Sequence, residues 1–264
     1  MLGSTQPPFT RVVVADNASA GDVHTMLARE FPTVELLASG SNLFFLAYRR
    51  PFIESTEPYF LILNQDVFLA PETLARLVAF MEAHPSVGAV APMSRHLDNS
   101  IEWIARPRYS FQSLLSTYTF WRFLPRPPAE ALNDLNASSS AIEVDVLQDS
   151  CLLVRRSAIA GELYDWKLKL YFTEDDLAET LRSNGFQLYY LPEISVQHIG
   201  QHSSSRSDPK AIRWLYYHDM FVFSRRWFGS VRTNLVLVPS AVLYLAWRYL
   251  RTRGRGTRER NRGG

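Results

Sequence analysis

The sequence predicts an α/β fold, and three observations predict it. Short runs of β-branched and aliphatic residues recur along its first 95 positions. Stretches with apolar residues at helical spacing separate them. Several of the runs stop abruptly at an acid or amide instead of fading into a loop. Strands and helices in this order build a largely parallel sheet with helices as crossovers. The 264 residues suffice for one large domain of this class or two small ones, and an apolar fraction of 47% fills a core and argues against disorder.

The elements follow in order. "RVVVADNAS" is a strand through Val12 to Val14, closed by Asp16. "GDVHTMLAREF" places Val23, Met26 and Leu27 on one helical face. "TVELLASG" is a second strand, closed by Gly40, and "YFLILNQD" a third. "APETLARLVAFMEAHP" is a helix with Pro71 at its first turn, Pro85 beyond its end, and Leu74, Leu77, Val78 and Met81 as its buried stripe. "VGAVAPM" is a further strand. From about residue 95 to 141 the pattern weakens, and "RFLPRPPAEALNDLNASSS" reads as a surface excursion. "IEVDVLQDSCLLVRR" restores strand character. "TEDDLAETLRSNG" is a short helix with Thr173 as its expected cap and Gly185 at its end. "FQLYYLP" and "ISVQHIG" read as two strands, and Ala211 to Phe228 as an aromatic helix.

Charge and cysteine usage bound the setting. The formal net charge is only +2, but seven arginines from Arg248 to Arg262 crowd the C-terminus, opposed there by Glu259. Cys151 is the sole cysteine, so the chain forms no internal disulfide, which fits a reducing compartment. "MLGSTQPPFT" lacks the basic start and apolar stretch of a signal peptide, and a cytoplasmic location is expected. "NLVLVPSAVLYLAWRYL" barely reaches the ~20 residues of a bilayer span, and Pro239 interrupts it. Aromatics beside arginines suit a helix lying at the headgroup level of the inner membrane face, with the tail on anionic lipid. A helix docked on the domain is the plainer alternative. No reading motif for nucleic acid accompanies the arginines.

The polar strand ends carry the chemistry. In open α/β sheets ligands bind beyond the carboxyl ends of the strands. Asp16 and Asp66 occupy such ends. A divalent cation, Mg²⁺ or Mn²⁺, takes carboxylate oxygen and often needs only one or two carboxylates plus substrate phosphates. The other reading of Asn64 to Asp66 is a turn, since both residue types bond their own backbone after strands. Glu174, Asp175 and Asp176 stand in succession before a helix. Acids in a first turn favour the helix dipole, but a carboxylate in a cleft also serves as general base toward a hydroxyl. His198 and His202 follow at a strand end, and His198 is a metal-ligand candidate.

Taken together, "VVVADNAS", "LILNQDVFLAPETLARLVAFMEAHPSVGAVAP", "VDVLQDSCLLVRRSA", "LYFTEDDL", "SNGFQLYYLPEISVQHIG" and "RWLYYHDMFVFSRRWFG" resemble the family 2 glycosyltransferases of the GT-A fold, the rhamnosyltransferase-like branch in particular. The resemblance spans roughly residues 10 to 230 and rests on the order and spacing of the motifs. It implies a mixed, mainly parallel central sheet flanked by helices. It implies a metal-dependent, inverting transfer from a nucleotide-diphosphate sugar, a dTDP- or UDP-sugar, to a hydroxyl of a lipid-linked or cell-envelope glycan. Asp16 and Asn17 would contact the nucleotide, Asn64 and Asp66 would match the cation-binding motif with Asp66 as ligand, and His198 would join the metal or diphosphate site. Spacing to Gly185 gives the base role to Glu174, and a shift of one residue gives it to Asp175. The implied organisation is a catalytic domain over 1–207, an aromatic helix packed on it over 208–230, and an apolar membrane-associated helix with its Arg-rich tail over 231–264.

Three features depart from the family pattern. The chain opens at what corresponds to the family's second strand, "NLFFLAYRRPF" lacks the expected Gly- and Asn-rich pattern, and Asp149–Ser150 stand where a Gly–Ala-like pair is usual. A non-catalytic homologue that binds nucleotide-sugar or membrane partners is the alternative these departures raise.

Overall fold

The structure is a computed structural model that describes residues 11–19, 21–123, 140–200 and 209–260. Most of the expected surface excursion, the N-terminal ten residues and His202 lie outside the described residues. The chain divides into two compact units. The first comprises Met1–Arg108 and Ala131–Asp219, the second Tyr109–Glu130 and Met220–Gly264.

The first unit opens with strand β1 (Val13–Asp16), helix α1 (Val23–Glu30) and strand β2 (Glu35–Ala38), and β1 pairs β2 in parallel. Asp22 caps α1 by accepting the Thr25 amide at 2.9 Å. Of the expected apolar face only Leu27 is buried, while Met26 is 38% exposed. A 3-10 turn (Phe44–Tyr48) leads into helix α2 (Arg49–Glu54).

The central sheet contains β3 (Tyr59–Leu63), β4 (Val67–Phe68), β5 (Val87–Arg95), β10 (Cys151–Arg155) and β11 (Gln187–His198), in the order β3-β10-β5-β11-β4. Two short strands extend it, β6 (Ile101–Glu102) on β5 and β8 (Ile142–Glu143) on β11. A separate two-stranded pair joins β7 (Ala105–Arg106) to β9 (Val146–Leu147). The sheet is mixed: β5 and β11 pair in parallel, and β10 runs antiparallel between β3 and β5. β3, β5 and β11 therefore point the same way, which is what gathers their carboxyl ends on one edge.

Helices cover both faces. α3 (Thr73–Ala83) buries Leu74, Leu77 and Met81 against Val90, Leu153 and Leu191, with Val78 half-buried beside them. Burying Leu77 completely contributes about 2 kcal/mol. On the other face α5 (Thr173–Ser183) packs Leu177, Ala178 and Leu181 against Ala89, Ala91 and Leu188. The alternation of Ala89, Val90 and Ala91 between the two faces is the period of a strand covered on both sides. At Gly88 an added Cβ would lie 2.8 Å from the Phe186 Cβ, so this strand approaches its neighbours too closely for any side chain. Cys151 is buried within β10, and burial pushes its thiol up to about 12.

Two sequence expectations need correction here. "FQLYYLP" and "ISVQHIG" form the single strand β11, and Pro192, which has no amide to donate, sits where the register against β5 shifts between Leu191 and Ser195. Thr173 is not the cap of α5. Phe172 occupies that position in the left-handed region, φ 61°, and Thr173 is the first helical residue.

The aromatic helix α6 (Pro209–Phe228) begins in the first unit and ends in the second. In the second unit α4 (Phe111–Tyr118), α7 (Ser230–Arg232), a π-helical turn (Thr233–Leu237) and α8 (Val238–Arg260) follow. Gly229, at φ 91°, breaks the path between α6 and α7, and the Ser224 and Thr233 hydroxyls meet across that corner at 2.7 Å. Pro239 does not end α8. The wide turn before it already displaces the backbone bonds that a proline cannot make. No helix of the described residues is long and apolar enough to cross a membrane.

Candidate active site

Sheet register brings Asp66 to His198. β4 pairs with the end of β11, with His198 opposite Val67, and the Ile199 amide donates to the Asp66 carbonyl at 3.0 Å. Asp66 Oδ1 and His198 Nε2 are then 3.2 Å apart. The other ring nitrogen, Nδ1, lies 2.8 Å from Glu102 Oε2, which also accepts the Ser94 hydroxyl at 2.6 Å. Glu102 arrives there because β6 folds back on β5, and β5 runs beside β11.

This arrangement fits a hard divalent cation in one respect. Ligands at right angles on a Mg²⁺-sized ion stand about 3 Å apart, close to the observed Asp66–His198 separation. With Nδ1 against Glu102, the other ring nitrogen, Nε2, faces the Asp66 carboxylate. Among the described residues no group of three or more His, Cys, Asp or Glu side chains is placed to hold a metal ion. Asp66 and His198 would supply only two protein donors to such an ion, with phosphate and water needed to complete its shell.

The three consecutive acids of α5 have three different environments. Asp175 is 2% exposed, and Arg106 of β7 donates to both of its oxygens, at 2.6 and 2.5 Å. Asp176 is fully buried and accepts the Asp165 amide at 2.8 Å. Glu174 is half-buried, with the Thr173 hydroxyl 3.3 Å from its Oε2. Burial raises its proton affinity above the usual carboxylate range, against the lowering effect of Arg106. Helix dipole alone accounts for acids in a first turn, but not for one held with a raised proton affinity.

Asp149 precedes β10 and is buried. The Tyr164 hydroxyl donates to Asp149 Oδ2 at 2.9 Å. Burial first, and the charge of Glu174 second, push the Asp149 carboxyl well above its ordinary value. The loop before α5 is fixed from α6: Asp219, fully buried, accepts the amides of Lys169, Leu170 and Tyr171 at 2.8 to 3.2 Å.

Asp16 and Asn17 sit at the end of β1. Asp16 accepts the Ser19 amide at 3.0 Å, and Ser19 holds its carboxyl below the usual range. Asn17 donates to the Phe44 carbonyl at 3.0 Å and accepts the Leu43 amide at 3.1 Å, which ties β1 to the 3-10 turn. That turn carries Phe45, whose ring meets Tyr164 edge-on at 6.2 Å. Asn64 donates its amide to the Ser150 carbonyl at 2.9 Å. A continuous set of contacts thus runs from Asn17 through Phe45 and Tyr164 to Asp149, and from Ser150 through Asn64 to the Asp66–His198 turn.

Sequence reasoning singled out Asp66, His198 and Glu174 but missed Glu102, Arg106, Tyr164 and Asp219. Glu102 and Arg106 come from two-residue strands in the stretch where periodicity fails. Asp219 had one signal, an acid on an otherwise aromatic helix.

The sheet order, the helices on both faces and the acids at one strand edge are those of the GT-A glycosyltransferase fold. Residues 4–160, more than half of the chain, match the family described as Glycosyl transferase family 2. The chain belongs to that family. It is 28% identical over 235 residues to the N-acetylglucosaminyl-diphospho-decaprenol L-rhamnosyltransferase of Mycobacterium tuberculosis strain CDC 1551 / Oshkosh, across 83% of this chain and 76% of the relative. The protein of the same description from strain ATCC 25618 / H37Rv matches to the same extent. Among solved structures, that of GalNAc-T7 with UDP, GalNAc and Mn²⁺ superposes with a TM-score of 0.55 at 10% identity. The match covers 81% of this chain and 41% of that one, so the chain spans less than half of the neighbour, and the likeness is one of fold.

Proposed function

We propose that the chain catalyses inverting transfer of a sugar from a nucleotide-diphosphate sugar to a hydroxyl of a lipid-linked or cell-envelope glycan. The observation that carries the reading is the start of α5. Asp175 is locked by Arg106 and Asp176 by a backbone amide, while Glu174 keeps a raised proton affinity. A general base needs that affinity.

Glu174 takes the proton of the acceptor hydroxyl as that oxygen bonds to the anomeric carbon. The bond from this carbon to the diphosphate oxygen breaks, and the nucleotide diphosphate leaves with the electron pair. Asp175 keeps α5 in place through Arg106. Asp219 holds the loop that sets where Glu174 stands. Asp66 and His198 would hold a Mg²⁺ or Mn²⁺ ion, whose charge would offset that developing on the diphosphate. Asp16 and Asn17 contact the nucleotide portion of the donor, and Asn64 stands beside Asp66 in the cation-binding motif.

The mycobacterial relatives support an L-rhamnosyl donor and a polyprenyl-diphosphate-linked N-acetylglucosamine acceptor. A dTDP- or UDP-linked sugar is the donor class. Incubating the chain with dTDP-rhamnose and such an acceptor, and following released nucleotide, tests this. Release that requires both acceptor and divalent cation supports it, and release that ignores the acceptor opposes it.

The second unit supports contact with the cytoplasmic membrane face. Val231, Leu235, Val242 and Leu250 are each more than half exposed, and Arg232, Arg248 and Arg251 stand among them. No Asp or Glu occurs from residue 220 to 251. Exposed apolar side chains interleaved with arginine suit an anionic bilayer surface. Co-sedimentation with anionic vesicles but not zwitterionic ones is expected, and equal recovery with both would remove the electrostatic part of this reading.

A further inference from the structure

The sheet carries a second row of side chains one residue away from the Asp66–His198 contact. β4, β11 and β5 lie side by side, with Phe68 opposite Gln197 and Gln197 opposite Arg95. Paired residues on neighbouring strands point to one face, and successive residues on a strand to opposite faces. Phe68, Gln197 and Arg95 therefore share a face, and it is the face away from His198. Burial agrees: Val196 and His198 are buried, whereas Ser195 and Gln197 are exposed. The row borders a cavity of about 380 Å³, within the range of small-molecule sites. Ser195 and Asn99 complete its polar lining, and no acidic residue lines it.

Three kinds of group meet there. Phe68 is 56% exposed, which leaves much of an aromatic ring open to a ligand. Arg95 is half-buried, and among the described residues no carboxylate forms an ion pair with it. Its Nη1 donates to the Asn99 carbonyl at 3.1 Å, which fixes the guanidinium against the turn after β5. Asn99 takes that turn through the left-handed region, φ 63°. Asp98, the acid of the same turn, is taken up by the amide and hydroxyl of Ser100 at 2.9 and 2.5 Å. A guanidinium without a carboxylate, beside a cavity without an acid, suits an anion, and phosphate oxygens match its planar fork. The Gln197 and Asn99 amides and the Ser195 hydroxyl offer donors and acceptors to hydroxyl groups. The open Phe68 ring offers an apolar surface to the C–H face of a sugar. From Phe68 to Arg95 the row crosses two inter-strand spacings, about 10 Å, which suits one sugar ring with a phosphate attached.

We propose that this cavity is an accessory site for a glycosyl phosphate, separate from the Asp66–His198 site. The sugar ring lies on Phe68, its hydroxyls meet Gln197 and Ser195, and its phosphate sits on Arg95. A sugar linked to a lipid through a diphosphate has the same chemistry, so the site gives the chain a hold on molecules of the acceptor class. That hold needs neither nucleotide nor divalent cation, because Asp66 and His198 take no part in it. Binding here stands or falls independently of Glu174 as the base.

The test titrates N-acetylglucosamine 1-phosphate into the full chain, without nucleotide or divalent cation, and follows binding by ligand-observed NMR. The sugar phosphate binds, and free N-acetylglucosamine and inorganic phosphate each bind at least about tenfold more weakly. Arg95→Ala weakens the sugar phosphate about 10- to 100-fold, while Mn²⁺-dependent nucleotide binding is retained. Phe68→Ala weakens it about threefold to tenfold. Gln197→Glu, at an exposed position, repels the sugar phosphate but leaves the free sugar unaffected. A short prenyl diphosphate carrying N-acetylglucosamine separates the two sources: tighter binding than the 1-phosphate assigns the site to the lipid-linked form, and equal binding assigns it to the free sugar phosphate. Sugar-phosphate binding that UDP with Mn²⁺ abolishes, or that Arg95→Ala and Gln197→Glu both leave unchanged, overturns the accessory site. Inorganic phosphate bound as tightly as the sugar phosphate overturns it too, leaving an adventitious ion only.

Discussion

Arg106 and Asp175 form a two-pronged ion pair, one guanidinium nitrogen on each carboxylate oxygen, with Asp175 almost wholly buried. The pair fixes the first turn of α5 to β7 and engages both carboxylate oxygens of Asp175. Removing Arg106 strands a buried carboxylate, the costly way to break such a pair. Arg106→Ala is expected to lower unfolding stability by about 3 kcal/mol in denaturant titration. The double variant Arg106→Met with Asp175→Leu recovers most of that loss, because no charge is left unpaired. An Arg106→Ala protein as stable as the wild type contradicts this role.

The Asp66–His198–Glu102 chain makes a graded prediction for metal affinity. Asp66→Ala and His198→Ala each abolish Mn²⁺-dependent nucleotide binding in calorimetry. Glu102→Gln leaves both ligands in place but weakens the hold on the imidazole, and affinity falls about 10- to 100-fold. Mn²⁺ affinity unchanged in Glu102→Gln would separate Glu102 from the site.

Asp219 predicts a local effect. Its carboxylate accepts three consecutive backbone amides ahead of Glu174. Asp219→Ala leaves those donors unsatisfied, a loss of about 2–4 kcal/mol. Hydrogen exchange is expected to accelerate at Lys169, Leu170 and Tyr171 before it does in β5. Uniform acceleration across the chain would mean that Asp219 supports the whole fold and not this loop.

How much of this was legible from sequence depends on how far apart the partners lie. Leu74, Leu77 and Met81 were readable because a helix repeats its buried face within a few residues. Asp66, His198 and Glu174 stood out as candidates because each sits in a motif at an element's end, and of the three the sheet register brings Asp66 and His198 together. Arg106 and Asp175 are 69 positions apart, and Glu102 and His198 are 96 apart. Those contacts are made by the pairing of strands too short to leave a period. Asp149 was visible only as a residue that does not match its family. Its contact with the Tyr164 hydroxyl is one that only the fold makes. Thr173 misled because a Thr with an acid three positions later imitates a capping box, whereas Phe172 in the left-handed region takes the cap and turns Thr173 inward.

The central claim is that Glu174 removes the proton from the acceptor, and Glu174→Gln tests it most directly. The amide keeps size and polarity but cannot act as a base. Nucleotide-sugar binding, measured by calorimetry with Mn²⁺, should stay within about twofold of the wild type, while single-turnover transfer falls by about 10²- to 10⁴-fold. A Glu174→Gln protein that binds donor and still transfers sugar at the wild-type rate contradicts the account.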